Sequence, residues 1–161
     1  MEMNYLILLA AALLPMIIGF IWYNPKVFGN VWMKAVDMTE EKMKGANMVL
    51  VFGLSYLFSI ILASALMGIV IHQWGVFSLV GGNPEVLNSG TAADFMAEYG
   101  TNFRTFKHGL LHGVIAGFTL ALPILATNAM FERKGFKYIA VNAGYWIVTM
   151  GLMGGVICQF M

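Results

Sequence analysis

The residues best able to do chemistry in this chain are its three histidines, His72, His108 and His112, and its single cysteine, Cys158. His108 and His112 are four apart, so on a helix they share one face, the spacing of a two-histidine metal site. All four side chains fall toward the same end of the apolar segments that carry them. Donors of this softness suit zinc, copper or the edge of a haem, so His72, His108, His112 and Cys158 are expected to converge on a transition metal or haem. The competing expectation is plainer: the histidines bond to water, headgroups or carbonyls, and Cys158 packs as a small apolar residue. No HExxH or CxxC accompanies them, and no Ser/His/Asp set or pair of carboxylates is visible. The chain is therefore expected not to be an enzyme.

The elements that must position these residues are set by composition. Of 161 residues, 60% are hydrophobic and 11% charged, and the mean hydropathy is +0.78. A soluble domain carries about 25% charged residues to coat its surface. Here lipid must solvate much of that surface. A net charge of +1 suggests no nucleic-acid partner, and one cysteine excludes an internal disulfide.

Four apolar stretches, about 3–23, 47–74, 106–130 and 138–160, are long enough to cross a core of roughly 30 Å, which takes about 20 helical residues. None shows the alternation of a transmembrane strand. The expectation is an all-α, polytopic membrane protein of one domain with four transmembrane helices. The first stretch lacks a basic leader and is longer than a signal peptide's apolar run, so it reads as a retained helix.

Basic residues set the orientation. The first connection holds Lys26, Lys34, Lys42 and Lys44, and the third holds Arg133, Lys134 and Lys137; only Arg104 and Lys107 lie elsewhere. That bias places both termini outside the cytoplasm. In the first connection, Val27, Phe28, Val31 and Trp32 recur on one face, which predicts a short helix in the cytoplasmic interface. Thr39-Glu40-Glu41 reads as a cap. In the second, Gly81-Gly82-Asn83-Pro84 is a turn cluster, and Thr91-Ala92-Ala93-Asp94 predicts a capping box, with Gly100 as the stop of a short outer helix carrying Phe95 and Tyr99.

Leu66–Trp74 can be laid on Leu152–Phe160, and Pro15 and Pro123 fall near the middles of the first and third stretches. This suggests a two-fold repeat of helical hairpins in parallel, with His72 equivalent to Cys158, set against chance matching of apolar words. Gly109, Gly113 and Gly117 repeat every four residues in the third stretch, and Gly151 and Gly155 lie in the fourth. Small residues at this spacing let helices approach closely in lipid, so the stripe is expected to face the fourth helix or a neighbouring subunit. No ionisable residue lies at depth, where ion-coupled carriers usually keep one. Asn128 and Asn142 are close enough in the sequence to bond each other across the third connection.

The run Gly19-Phe20-Ile21-Trp22-Tyr23-Asn24-Pro25-Lys26-Val27-Phe28-Gly29-Asn30-Val31-Trp32-Met33 resembles a family of small bacterial membrane proteins filed as domain of unknown function 1761. The His112-Gly113 region, Phe131-Glu132 and Asn142-Ala143-Gly144-Tyr145 are similar too, so the resemblance spans nearly the whole chain. It implies a four-helix bacterial membrane protein and carries no catalytic residues across. The leading expectation is a non-enzymatic protein of a bacterial inner membrane, in contact with the lipid bilayer, self-associating as a homo-oligomer or joined to other membrane subunits. A small oligomeric channel or carrier, and a metal- or haem-binding membrane protein, are the alternatives.

Overall fold

A computed structural model describes residues 3–161, with the side chains of Glu40 and Met43 outside that description. Four helices are long and apolar enough to cross a membrane: Tyr5–Trp22, Met48–Val70, Phe106–Phe131 and Phe136–Phe160. They are called the first to fourth spans below. The fold is all-helical among the described residues, as the lack of alternation requires.

The fourth span is the axis of the bundle. About 61% of its apolar window is buried, against 22%, 17% and 22% for the other three, which face outward over most of their surface. Phe20 is 81% exposed, Val49 85% and Phe131 87%. In water such a surface would be untenable; in hydrocarbon it is the expected covering.

Prolines punctuate the first and third spans, as the sequence suggests. The first breaks into Tyr5–Ala11 and Leu14–Trp22, with Pro15 opening the second half. In the third, the helix widens into a π-turn over Gly117–Ala121 just before Pro123. A proline ring clashes with the carbonyl four residues earlier, and a wide turn relieves that clash.

The glycine stripe faces the fourth span. A Cβ on Gly109 would strike the carbonyl oxygen of Gly154, one on Gly113 would strike that of Met150 and come within 2.9 Å of Gly151 Cα, and one on Gly117 would lie 2.7 Å from Ile147 Cα. Backbone meets backbone along this seam. Gly151 and Gly155 sit beside it, where a Cβ would meet Val114 at 2.8 Å and the Phe106 ring at 2.6 Å. The closest partner is Gly154, which a search for four-residue spacing passes over. Of the two expected partners, the stripe thus packs against the fourth span of its own chain.

The second span ends earlier than its hydropathy suggests. Helix stops at Val70, Ile71 is extended (φ −111°, ψ 97°), and a new short helix runs Gln73–Leu79. The fourth span, by contrast, continues as helix to Phe160. His72 and Cys158 therefore occupy different local structures, and the two words of the apparent repeat diverge where chemistry would matter.

The first connection forms a π-turn, Pro25–Gly29, followed by a helix, Asn30–Val36. Phe28 packs on Trp22 with ring centroids 4.5 Å apart, and Trp32 meets Tyr23 edge-on at 5.5 Å. Thr39 accepts from the Lys42 amide, as expected of the cap. The outer helix runs Gly90–Tyr99 and stops at Gly100, with Phe95 and Tyr99 rings 4.8 Å apart. Its cap is Ser89, and Thr91 lies inside the helix, so the predicted capping box does not form. Gly90 takes φ 53°, a conformation open to glycine, and the helix starts two residues earlier than the Thr91 cap would have it.

Asn142 does not reach Asn128. Its Oδ1 accepts from the Tyr23 hydroxyl at 3.0 Å and its Nδ2 donates to the Tyr138 carbonyl at 2.8 Å. One residue earlier, the Val141 carbonyl accepts from the Trp22 indole at 3.0 Å. Two segments 119 residues apart are thereby stitched together at the end of the bundle away from the histidines.

Candidate metal centre

The three histidines arrive from two elements. Thr105 caps the third span, its hydroxyl accepting from the His108 amide at 3.3 Å, and the two residues His108 and His112 then project on consecutive turns. The preceding segment is latched to the end of the fourth span. Arg104 Nε donates to the Cys158 carbonyl at 3.0 Å, and the Phe106 amide donates to Gln159 Oε1 at 3.0 Å. His72 comes from the break after the second span. Had helix continued through Ile71, the side chain would have stayed on the line of that helix; the extended residue turns it toward the third span.

The three side chains meet. His72 Nε2 and His108 Nε2 are 2.8 Å apart, one donating to the other. The His112 ring lies with its centroid 4.9 Å from that of His72 and 4.4 Å from that of His108. One nitrogen from each ring can be chosen so that all three lie within 4.8 Å of one another. None of the described hydrogen bonds reaches the His112 ring. The Phe103 ring stacks on His108 at 5.2 Å, held there by a backbone at φ 61°.

Cys158 does not join them. It is fully buried, and its thiol donates to the Val70 and Phe103 carbonyls, each at 3.3 Å. That use is structural: the thiol ties together the end of the second span, the loop before the third, and the fourth. The expected four-donor set thus reduces to three, and the physical reason is that the helix carrying Cys158 turns the thiol into the core.

Three neutral imidazoles on one side of an ion, with a further position left open, match the three-histidine arrangement that binds zinc. In a tetrahedral site with bonds near 2.0–2.1 Å, donor nitrogens stand about 3.3 Å apart. To hold an ion the 2.8 Å pair would open slightly and separations nearer the 4.8 Å limit would close. Two of these histidines could not sandwich a haem as they stand, since a macrocycle would have to lie between rings that are in mutual contact.

A cavity of about 470 Å³ opens beside the cluster, lined by His72 and His108 together with Phe95, Tyr99 and Phe103. A larger cavity, about 510 Å³, lies between the first, second and fourth spans, lined by Pro15, Phe52, Leu62, Tyr145 and Trp146 among others. The Tyr145 hydroxyl there is committed to the Pro15 carbonyl at 2.7 Å. Its walls otherwise resemble the lipid-facing surface. The chemistry sits with the histidines.

Fold and site together define a class: a four-span helical membrane protein with a histidine cluster at one end of the bundle. A family described as protein of unknown function (DUF1761) matches residues 6–158, and the chain belongs to that family. Comparison with curated proteins returned no match, and comparison with solved structures returned none.

Proposed function

We propose that this is a non-enzymatic integral membrane protein of a bacterial inner membrane that holds one divalent transition-metal ion through His72, His108 and His112. The observation that carries the reading is the mutual approach of these three rings, from two separate elements, to within one coordination sphere. A hydrogen-bonded pair alone would need only two histidines. The third, His112, takes its place against both others without a bond of its own among those described.

The ligand type favours zinc, copper, cobalt or nickel over calcium or magnesium, which take oxygen donors. The cluster holds three histidines and, among the described residues, no carboxylate. The bias of seven basic residues on the first and third connections against two elsewhere supports a site on the outer side of the membrane, with both termini on that side.

The test is metal stoichiometry. Protein purified in mild detergent, stripped and reloaded with zinc or cobalt, is expected to hold one ion per chain after desalting. His72→Ala, His108→Ala and His112→Ala should each lose it. Retention of a full equivalent by any two of these variants would overturn the assignment.

A further inference from the structure

The metal ion described above would have three protein donors, and the position left over must be filled by something. Around a divalent ion, three neutral imidazoles leave the centre at a charge of 2+. Two features make that charge costly here. His108 stands in the first turn of the third span, where the helix dipole is positive. The cavity beside the cluster is lined by His72, His108 and uncharged residues, with no carboxylate among them. A cation at a positive helix end, beside a wall without anions, calls for a negative fourth ligand.

The shape of the cavity says what else that ligand carries. Phe95, Tyr99, Phe103 and Val76 give the cavity apolar lining beside the two histidines, with room of about 470 Å³, enough for a small ring or short chain but not for a lipid. The outer helix is held over the cavity by Gln73, whose Nε2 donates to the Tyr99 carbonyl at 3.1 Å and to the Asn102 carbonyl at 2.9 Å. Gln73 is only 6% exposed, yet its Oε1 has no partner among the described residues. An acceptor buried in this way is open to a bridging water, and the carboxylate proposed below makes no claim on it. So the second connection is a roof with a spare polar group, built over an apolar pocket that opens on two metal ligands.

We propose that this pocket binds a small monoanionic carboxylate with an apolar body, its carboxylate taking the fourth position on the ion and its body lying against Phe95, Tyr99 and Phe103. The inference rests on the three-histidine metal reading and adds to it the ligand class and the place where the ligand sits. No bond is made or broken beyond exchange of metal-bound water for the carboxylate.

The test uses cobalt(II), whose visible spectrum reports its coordination, loaded into the full-length protein in detergent. Benzoate is the probe and acetate the comparison. Benzoate should shift the spectrum saturably, and acetate should need at least about ten times the concentration, since each buried CH2-sized unit contributes close to 0.8 kcal/mol and the ring supplies several. Val76→Trp, which fills the pocket and removes no metal ligand, should keep one cobalt per chain and weaken benzoate about tenfold or more. Phe95→Ala, on the more exposed outer helix, should keep cobalt and bring benzoate toward the affinity of acetate.

The outcomes separate the two claims. If cobalt does not bind the wild type, the metal reading fails and this inference with it. If cobalt binds and benzoate leaves its spectrum unchanged, the metal reading stands and the carboxylate pocket is refuted. If benzoate and acetate act equally, or if both cobalt-loaded variants respond to benzoate as the wild type does, the anion reaches the ion without using this pocket, and the proposal is equally overturned.

Discussion

Cys158 and His112 differ in what each side chain already touches. The Cys158 thiol donates to two carbonyls from different segments and is fully buried. The His112 ring meets only the rings of its neighbours among the contacts described above. A thiolate would have to surrender those bonds and come out of the core before it could bind an ion. Cys158→Ser, which keeps a donor of similar shape, is therefore expected to retain a full equivalent of zinc or cobalt and to cost little stability. His112→Ala should lose the ion with little change in melting temperature of the metal-free protein. Elemental analysis alongside thermal melts checks both. Loss of metal in Cys158→Ser at unchanged melting temperature would return the cysteine to the ligand set.

Between elements, the seam joining the third and fourth spans decides how closely the bundle closes. In lipid there is little hydrophobic drive between helices, so dispersion across close backbones must serve. At Gly113 even a methyl group would collide with backbone, which cannot move aside as a flexible side chain can. Gly113→Ala should lower stability by about 1–3 kcal/mol, the usual cost of overpacking, and Gly113→Leu by more. Gly53, in the second turn of the second span with nothing within 4 Å of a Cβ, is the control. Gly53→Ala should be neutral or stabilising by up to about 1 kcal/mol. Denaturant or thermal unfolding in one detergent compares the three; equal stability of Gly113→Ala and Gly53→Ala would contradict the seam. At the opposite end, Tyr23→Phe removes the hydroxyl that bonds Asn142 and should cost roughly 0.5–1.5 kcal/mol. The same measurement reads it. That bond joins the Trp-Tyr segment at the end of the first span to the Asn-Ala-Gly-Tyr segment of the fourth, so two of the runs that carry the family resemblance form one clasp in space.

For the molecule as a whole, orientation across the membrane follows from its charges. The proposed topology puts Lys34 and Lys134 on the cytoplasmic side and Asn88 outside, with the histidine cluster near the outer surface. Cys158 is buried and should be silent to labelling, so single cysteines can be added without removing it. In intact cells an impermeant maleimide should label Asn88→Cys and leave Lys34→Cys and Lys134→Cys untouched until the membrane is opened. Labelling of Lys34→Cys from outside would invert the topology, and with it the compartment from which the site draws its metal.

The number and helical character of the spans were determined by the sequence alone, because crossing hydrocarbon demands long apolar helices whatever they pack against. The glycine stripe was legible for a similar reason: missing side chains at four-residue spacing make sense only at a contact. Tertiary structure decided the rest. Hydropathy stays high through Val70 and Ile71 and falls only at His72, so the pattern does not announce that the helix breaks at Ile71 and turns His72 toward the third span. Asn142 had several partners within sequence reach, and packing selected Tyr23, which lies 119 residues away. Cys158 carried the right donor atom, but the axial rotation of the fourth span turned it toward carbonyls in the core. Local chemistry names the candidates for a metal; which of them share one coordination sphere depends on the relative rotation and ending of separate helices, and those are properties of the packed bundle.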